Sequence, residues 1–494
     1  MRRTAAWAAG IVAAALVLTA CAADDGGTEE GGGVFTVAGP YAIETLDPQG
    51  ASAGAIGTSH AASTIFSRLV KPDSEGEYHA DLAESWEAND SGTEWTFTLR
   101  DGVEFSDETP LTSADVVASF NRLIELKGPL AGNFPDVTAS APDEKTVVFT
   151  GKNPILLGRI ALLYVTKADV TDDSFTKPIG SGPYVVEDFT PSDVLELVPN
   201  ENYYGDVPTV DKVEYRWIPE VSTRLTALQT GEIDATWGIP DDQVAALRSD
   251  SELVLENSPT SSVVTMWFNS SRPAFASAEV RNAIWSAVDF ETIIQSLFPE
   301  TGTLSDSIVA PNVLGYSPQE PKTYDPDAAK AALEDAGFDF SQTYQIQYSG
   351  TEYSQFIQAV ASDLAKIGVN VEPTQKEPAV FLDDLLALNW DINFQALGTA
   401  AFDSATNTGR LYPCAANRNG YCNPELDEIL AAAGATTDTD ERVDLYDQAN
   451  KIIWDDAVGM YPMLLNVTYA WRSNVTGFVP DPLLQPDLST VGFE

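Results

Sequence analysis

Paired acidic residues are the nearest approach to a catalytic constellation in this chain of 494 residues. Glycosidases place two carboxyl groups across the scissile bond, at a separation of about 5 to 9.5 Å. Adjacent side chains, however, point to opposite faces of a strand or lie about 100° apart on a helix. Since the chain has 74 acidic residues, we interpret its doublets as solvated surface, and a secreted hydrolase that uses a carboxylate pair in a cleft remains the alternative hypothesis. The aspartate doublets are Asp172–Asp173, Asp241–Asp242, Asp383–Asp384 and Asp455–Asp456.

Other motifs typical of enzymes are missing from the sequence. The stretch Gly57–His60 lacks the spacing and the strand-turn-helix setting of a nucleophile elbow. Neither an HExxH zinc motif nor a phosphate-binding GxxxxGK[ST] loop is present. The only histidines, His60 and His79, are far in sequence from Cys414 and Cys422, so a metal site of the Cys/His type is not expected. We therefore predict a protein without catalytic residues, metal or cofactor.

The N-terminus has the features of a secretory signal. Arg2 and Arg3 precede an apolar run at 5–20 that is shorter than the roughly 20 residues needed to span a bilayer. The last residues of this segment, LTAC, resemble the lipobox of bacterial lipoproteins, in which the cysteine receives a diacylglyceryl group. We therefore predict lipidation of Cys21 and a location on the extracytoplasmic face of the cell membrane, held there by the lipid anchor alone.

Length and charge constrain the rest of the chain. Cleavage before Cys21 would remove a signal peptide at 1–20, and the glycine-rich, acidic residues 21–33 predict a flexible tether. The remaining residues, 34–494, exceed the roughly 250 to 300 that a single core supports, so at least two lobes are expected. The formal net charge of −47 argues against nucleic acid as a partner and favours neutral or cationic ligands.

Local sequence patterns predict mixed α/β structure. The segment EWTFTLRDGVEF at 94–105 predicts a β-hairpin that turns at its Asp-Gly dipeptide, and a helix capped near Thr112 follows. Beyond Asn269, helical and extended patterns alternate, which predicts a parallel α/β sheet. The apolar segment at 460–472 predicts a strand that crosses back to the first lobe. Two lobes joined by crossing strands are expected to leave a ligand cleft and a hinge.

Several segments together resemble one protein family. The stretch ADLAESWEANDSGTEWTFTLRDGVEFSDETPLTSADVVASF at 80–120 resembles the signature of the extracytoplasmic solute-binding proteins of ABC importers. The class in question includes the dipeptide-, oligopeptide- and nickel-binding proteins. One departure is Glu108, where the family usually has glycine in its FxDGTP turn. Further matching segments, in order, are GSGPYVVEDF, NENYYG, STRLTALQTGEIDA, VRNAIWSAVD and YDPDAAKAALEDAGF.

This resemblance implies an α/β, two-lobed fold like that of the periplasmic binding proteins, of class II and of the large type with an extra subsidiary domain. It places lobe I at 34–60, 175–268 and 466–494, the subsidiary domain at 61–174, and lobe II at 269–465, with a hinge between the lobes. It also implies a monomeric, lipid-anchored receptor that binds a small solute and delivers it to the permease of an ABC transporter. A peptide or a peptide-like molecule is the first expectation for that solute.

The resemblance also bears on the ligand. In the dipeptide- and oligopeptide-binding members, an aspartate just after the strand that matches WDINFQAL pairs with the amino terminus of the peptide. Ala400 is aligned with this aspartate here, and Asp403 is aligned with a second acid. Either Asp403 substitutes, or the cargo has no free peptide amine. Oligosaccharides and metal chelates such as siderophores are the alternative cargo classes, whereas nickel is disfavoured because no histidine follows His79.

Seven residues are predicted to bind ligand, on family position or on aromatic character. For the aromatic members of the set, packing in a core is an equally good interpretation. The predicted residues are Ser52, Gly54, Trp237, Trp267, Asn269, Phe402 and Asp403.

The two cysteines that remain after lipidation are predicted to form a disulfide. Cys414 and Cys422 lie in the turn-rich segment CAANRNGYC, and disulfides persist in the oxidising compartments where exported proteins reside. The loop also resembles the disulfide loop of the dipeptide-binding proteins, which favours a peptide-like cargo.

Overall fold

The structure is a computed structural model that describes residues 32–73, 76–399 and 402–494. The predicted signal peptide, Cys21, most of the tether and Ala400 lie outside these residues. The strands of the described residues are, in chain order, β1 (Val34–Gly39), β2 (Ser67–Arg68), β3 (Val70–Pro72), β4 (Tyr78–Ala80), β5 (Ala83–Ala88), β6 (Glu94–Leu99), β7 (Val137–Ser140), β8 (Thr146–Gly151), β9 (Tyr164–Val165), β10 (Tyr184–Thr190), β11 (Val194–Pro199), β12 (Lys212–Trp217), β13 (Ala235–Trp237), β14 (Leu253–Phe268), β15 (Gly302–Leu304), β16 (Thr343–Ser349), β17 (Asn370–Lys376), β18 (Ile392–Gly398), β19 (Gly459–Arg472), β20 (Val475–Thr476) and β21 (Gly492–Phe493).

Helices cover both lobes and none of those described is long and apolar enough to cross a bilayer. They are α1 (Ile56–Ile65), α2 (Ser113–Leu126), α3 (Leu157–Ile160), α4 (Val221–Thr230), α5 (Asp241–Arg248), α6 (Ala278–Ser286), α7 (Phe290–Leu297), α8 (Pro326–Asp335), α9 (Ser354–Lys366), α10 (Pro378–Leu386), α11 (Thr408–Leu411), α12 (Pro424–Ala433) and α13 (Thr439–Asp455).

The largest sheet passes through both halves of the molecule. Its strand order is β10-β11-β12-β1-β13-β19-β14-β18-β16-β17, and β15 also pairs with β19. In the first half, β1 runs parallel to β12 and β13; in the second, β16 runs parallel to β17 and β18. The long antiparallel strands β14 and β19 connect the two halves. The prediction that the segment at 460–472 crosses between lobes is thereby confirmed.

Among the described residues, three of the four hydrophobic cores fill the larger bodies of the fold. The first half packs around β1, β12 and β13 and includes the buried Phe35, and the second half packs around β14, β18 and α9 and includes the buried Phe356. A third core lies between the four-stranded sheet β5-β6-β8-β7 and α2. Its buried residues run from Leu69 to Val165, inside the range 61–174 for which a subsidiary domain is predicted.

The register of the pairing between β14 and β19 changes at the point where the two halves of the sheet meet. Pro259 pairs with Asn466 and the next paired residue, Val263, opposes Leu464, so β14 bulges by two residues relative to β19. The Thr260 hydroxyl donates to the carbonyl of Leu465 at 2.8 Å across this bulge. Because a bulge interrupts the ladder of backbone hydrogen bonds and bends the strand, we take it as the hinge between the lobes.

The sequence patterns near residue 100 are partly corrected by the structure. The predicted hairpin is wrong, because β5 and β8 already occupy both edges of β6. The chain does turn at Gly102, which has a φ of 72°, but Val103 then accepts a hydrogen bond from the backbone of Leu111 at 3.0 Å. The predicted start of the next helix is confirmed, since Thr112 and Asp115 form a capping box at the beginning of α2.

Candidate ligand cleft

A cavity of about 310 Å³ lies at the bulge in β14. Residues 260–262 of β14 and residues 398–399 form one wall, which belongs to the second half of the sheet or borders on it. The opposite wall comes from residues 53–59, from residues 161–164, and from residues 482–485 near the C-terminus. The lining is mostly apolar with a few polar side chains, which is the usual character of a small-molecule site.

A second cavity of about 160 Å³ adjoins the first. The two cavities share Arg68, Pro72, Leu483 and Gln485 in their walls, so we describe them as the larger and smaller chambers of one cleft. The smaller chamber is the more polar of the two, because Lys71 and three aspartates line it. Those aspartates are Asp81, Asp481 and Asp487.

Hydrogen bonds shape the hinge wall of the larger chamber. The amide of Ser262 donates to the Thr260 hydroxyl at 3.1 Å, and the amide of Thr399 donates to the carbonyl of Ser261 at 3.1 Å. These bonds tie the end of β18 to the bulge. A movement of the lobes would therefore alter this wall directly.

Arg68 is held between the chambers by the pairing of β2 with β9. It lies directly opposite Tyr164 in that pair, and its guanidinium carbon is 4.5 Å from the centre of the Tyr164 ring. The Arg68 amide donates to Asp81 at 2.8 Å, and one guanidinium nitrogen donates to the carbonyl of Ala161 at 3.4 Å. Stacking on an aromatic ring leaves the edge of the guanidinium group available for further hydrogen bonds.

Asp481 is held by the turn that follows it. One of its carboxylate oxygens accepts hydrogen bonds from the amides of Leu483 at 2.8 Å and Gln485 at 2.9 Å. Burial outweighs these hydrogen bonds and raises the pKa of Asp481 to about 6. The carboxyl group therefore titrates at a higher pH than an exposed aspartate does.

Two of the predicted ligand residues reach the cleft. Gly54 lines the larger chamber, and Phe402 lines the smaller one. Ser52 lies two residues before Gly54, but its hydroxyl donates to Glu44 at 3.4 Å and it is not part of either wall.

Three other predicted residues are buried and line neither chamber. Trp237 packs in the core of the first half, with its ring centre 5.7 Å from that of His60. The indole of Trp267 donates to the Tyr412 hydroxyl at 3.1 Å. The Asn269 amide donates to the carbonyl of Trp390 at 2.8 Å. Their assignment to the ligand site stays a prediction without a supporting contact.

Asp403 is occupied by a contact within the protein. Both of its carboxylate oxygens accept from one guanidinium nitrogen of Arg442, at 2.6 and 2.9 Å. The pair lines a further cavity of about 190 Å³, which Tyr78 also lines and which shares Phe402 with the smaller chamber. Burial and the Asp403 carboxylate raise the pKa of Tyr78. Asp403 is therefore not a free anion, and the suggestion that it substitutes at the amine position stays a prediction.

The aspartate doublets are dispersed and line neither chamber. Asp172 pairs with Arg122, Asp241 caps the turn at Thr301, and Asp384 pairs with Lys376. Cys414 and Cys422 form a disulfide in the structure, as predicted, with their Cα atoms 4.6 Å apart.

Sequence reasoning did not find the polar residues that the fold brings to the cleft. They are Arg68, Thr260, Ser261, Asp481 and Gln485. A usable signal existed for two of them. Arg68 is a cation in a chain with only 27 lysines and arginines, and Asp481 follows the last long strand in a segment rich in proline.

Two α/β halves joined by long strands, with a cleft at the break between those strands, define a two-lobed solute-binding protein. The model of the family "Bacterial extracellular solute-binding proteins, family 5 Middle" matches residues 77–419. The chain belongs to this family, and the resemblance stated from the sequence is confirmed.

Known proteins agree with this assignment. The chain is 30% identical over 449 residues to the "Probable D,D-dipeptide-binding periplasmic protein DdpA" of Escherichia coli, a match that covers 85% of this chain and 86% of that protein. The ABC transporter substrate binding protein CtaP of Listeria monocytogenes has a TM-score of 0.84 at 25% identity, over 94% of this chain and 100% of that one. A dipeptide binding protein from Pseudoalteromonas, solved with Met-Leu, has a TM-score of 0.79 at 24% identity over the same shares. The predicted fold class is confirmed.

Proposed function

We propose that this protein is a lipid-anchored, extracytoplasmic receptor that binds a short peptide or peptide-like solute and delivers it to the permease of an ABC importer. The observation that carries the proposal is the cleft at the bulge between β14 and β19. Closure of the lobes around the solute buries it, and opening at the permease releases it unchanged.

The size and lining of the cleft support a small organic cargo. The larger chamber, of about 310 Å³, lies at the lower end of the roughly 300 to 1,000 Å³ that small-ligand sites occupy. The relative DdpA is named for D,D-dipeptides, and the Pseudoalteromonas neighbour was solved with a dipeptide. A di- or tripeptide is therefore the first cargo class to test.

Binding and the fate of the cargo are measured together. The mature protein is titrated by calorimetry with L-Ala-L-Ala, D-Ala-D-Ala and Met-Leu, and native mass spectrometry then weighs the bound molecule after prolonged incubation. Saturable binding of an intact peptide supports the proposal. Cleavage of the peptide would support the hydrolase hypothesis instead, and a co-purified sugar or metal chelate would replace the peptide as cargo.

A blocked-cleft variant localises the binding. Gly54 lines the larger chamber, and a Cβ atom there would have only Pro129 within 4 Å, at 3.5 Å. Gly54→Trp should therefore fill the chamber without disturbing the backbone and abolish measurable binding. Gly132→Trp is the matched control, since nothing lies within 4 Å of a Cβ there and Gly132 is outside both chambers. Equal affinity in the two variants would place the ligand elsewhere.

The lipid anchor is tested in cells. Cys21 is the proposed acceptor, and two or more acyl chains give stable membrane attachment. Radiolabelled palmitate should be incorporated into the protein and not into Cys21→Ala, which should leave the membrane fraction. Incorporation into the variant would show that another residue carries the lipid.

A further inference from the structure

Among the described residues that line the two chambers of the cleft, Arg68 is the only arginine. Its guanidinium group has no carboxylate partner within 4.0 Å in the described part of the chain. The guanidinium group donates a long hydrogen bond to the Ala161 carbonyl, at 3.4 Å, and lies against the Tyr164 ring. An arginine that is fixed but unpaired at the junction of two chambers has most of its donors free for a ligand.

The position of Arg68 is fixed from several directions. Its backbone is paired with β9, its amide is bound by Asp81, and its guanidinium group stacks on Tyr164. Tyr204 donates to the other oxygen of Asp81, so that carboxylate is already occupied. The planar fork of an arginine matches the two oxygens of a carboxylate, and a preorganised fork loses less entropy when the pair forms.

Asp481 presents the complementary group in the smaller chamber. Its hydrogen bonds from Leu483 and Gln485 both go to one oxygen, Oδ1. No hydrogen bond reaches Oδ2 from the residues that the structure describes. An ammonium group is a suitable partner for this oxygen, because its positive charge offsets the loss of solvation that burial imposes on the carboxylate.

On the proposed function, we propose that Arg68 binds a carboxylate of the cargo and Asp481 binds its ammonium group, so that the cleft recognises a zwitterion. A short peptide with both termini free has this chemistry. The proposal gives the cleft two charged contacts of opposite sign in a chain whose net charge of −47 would otherwise disfavour an acidic group. It also assigns amine binding to an acid of the C-terminal segment, since the earlier candidate, Asp403, is paired with Arg442.

Modified peptides test each contact without changing the protein. The tightest binder among L-Ala-L-Ala, D-Ala-D-Ala and Met-Leu is compared by calorimetry with its C-terminal amide and its N-acetyl derivative. Charge-assisted hydrogen bonds contribute enough that each modification should weaken binding by about 10- to 100-fold. A loss of less than about threefold for both derivatives would overturn the proposal.

Variants then assign each contact to its residue. Arg68→Gln should weaken binding of the free acid by about 10- to 100-fold and leave binding of the amide nearly unchanged. Asp481→Asn keeps an acceptor for the Leu483 and Gln485 amides. It should weaken binding of the free-amine peptide by about 10- to 100-fold and leave binding of the N-acetyl peptide nearly unchanged. Lys330→Gln and Asp335→Asn, at exposed residues of α8 outside both chambers, are the matched controls. They should leave unaltered both the ratio of affinities for the free acid and the amide and the ratio for the free amine and the N-acetyl peptide.

The pH-dependence adds an independent measurement. Binding of the free-amine peptide to the wild type should weaken as the pH falls through the pKa of Asp481, at about 6, and Asp481→Asn should lack this step. The charged and titratable groups around Asp481 are Arg68, Lys71, Asp81, Tyr164, Tyr203, Tyr469 and Asp487. Persistence of the step in Asp481→Asn would assign it to another of these groups and overturn the role of Asp481.

The outcomes separate this inference from the proposed function. If the peptides bind in the cleft but Arg68→Gln weakens binding of the free acid and of the amide by the same factor, the zwitterion proposal is overturned and the proposed function stands. Failure of all three peptides to bind the wild type would overturn the peptide cargo itself, and the zwitterion proposal with it.

Discussion

Arg442 donates from a single guanidinium nitrogen to both carboxylate oxygens of Asp403, at 2.6 and 2.9 Å. Both side chains are almost fully buried, with 7% of the Arg442 surface and 6% of the Asp403 surface exposed. Burial alone would lower the pKa of Arg442, but the Asp403 carboxylate outweighs it and raises that pKa. The pair therefore belongs to the packing of lobe II, at the surface that faces Tyr78.

Loss of one partner of this pair should cost stability more than affinity. Asp403→Asn leaves a buried, uncompensated guanidinium group, so the free energy of unfolding should fall by about 3 to 5 kcal/mol. Urea denaturation measures this loss, and calorimetry on the folded variant should show less than about a threefold change in peptide affinity. The double variant Asp403→Leu/Arg442→Met should lose less stability than Asp403→Asn, because no unpaired charge remains. Full stability with a large loss of affinity would instead make Asp403 a ligand residue.

Glu108 adopts a backbone conformation that favours glycine. Its φ is 65°, in the turn where the family usually has glycine, and its side chain is exposed. Glu108→Gly should therefore raise the free energy of unfolding by about 0.5 to 1 kcal/mol, because the strain of the left-handed conformation exceeds the entropy cost of glycine. Glu87→Gly, at an exposed position of β5, is the control and should lower it by a similar amount. Thermal or urea unfolding measures both, and a loss of stability in Glu108→Gly would contradict the prediction.

His60 should make the protein sensitive to acid. It is buried between Tyr215 and Trp237, and its Nε2 contacts the carbonyl of Pro486 at 3.0 Å. Burial lowers its pKa from 6.5 to about 4. Between about pH 6.5 and pH 4, His60 therefore binds a proton in the unfolded chain but stays neutral in the folded chain. The contribution of the neutral ring to the free energy of unfolding falls across this window by up to about 3 kcal/mol.

The variant His60→Gln separates this contribution from that of the many carboxylates. Glutamine keeps a donor for the Pro486 carbonyl but does not titrate. The difference in unfolding free energy between wild type and variant should therefore shrink as the pH is lowered from 7.5 to 4.5 in urea titrations. A constant difference would show that His60 is not the sensitive group. His79→Gln, at an exposed position, controls for the removal of a histidine.

The Cys414–Cys422 disulfide should stabilise its loop and the lobe that carries it. The bridge closes a short loop, and the amide of Cys414 also donates to Asp427 at 2.8 Å. Replacement of both cysteines by serine should lower the free energy of unfolding by about 2 to 3 kcal/mol. Urea denaturation with and without reductant measures this, and reductant should shift the wild type but not the variant. An unchanged wild type after complete reduction would contradict a stabilising role.

Sequence reasoning succeeded where the signal is local. The capping box of Thr112 and Asp115 depends on residues close in the chain. The hairpin after β6 failed for a non-local reason, because β8 reaches the free edge of β6 from about fifty residues further along the sequence. The same limit applied to the site, where Trp237 and Trp267 pack in hydrophobic cores and their assignment to the ligand site stays a prediction.

The sequence by itself determined the family, the alternation of strands and helices, and the pairing of the cysteines, because these depend on short-range patterns and on motifs. Only the tertiary structure decided which polar groups face the cleft. Arg68, Ser261 and Asp481 come from three separate segments that meet at the bulge in β14 or beside it. It also decided that Asp403 is bound by Arg442, since the charge that neutralises a buried carboxylate can lie at any distance along the chain.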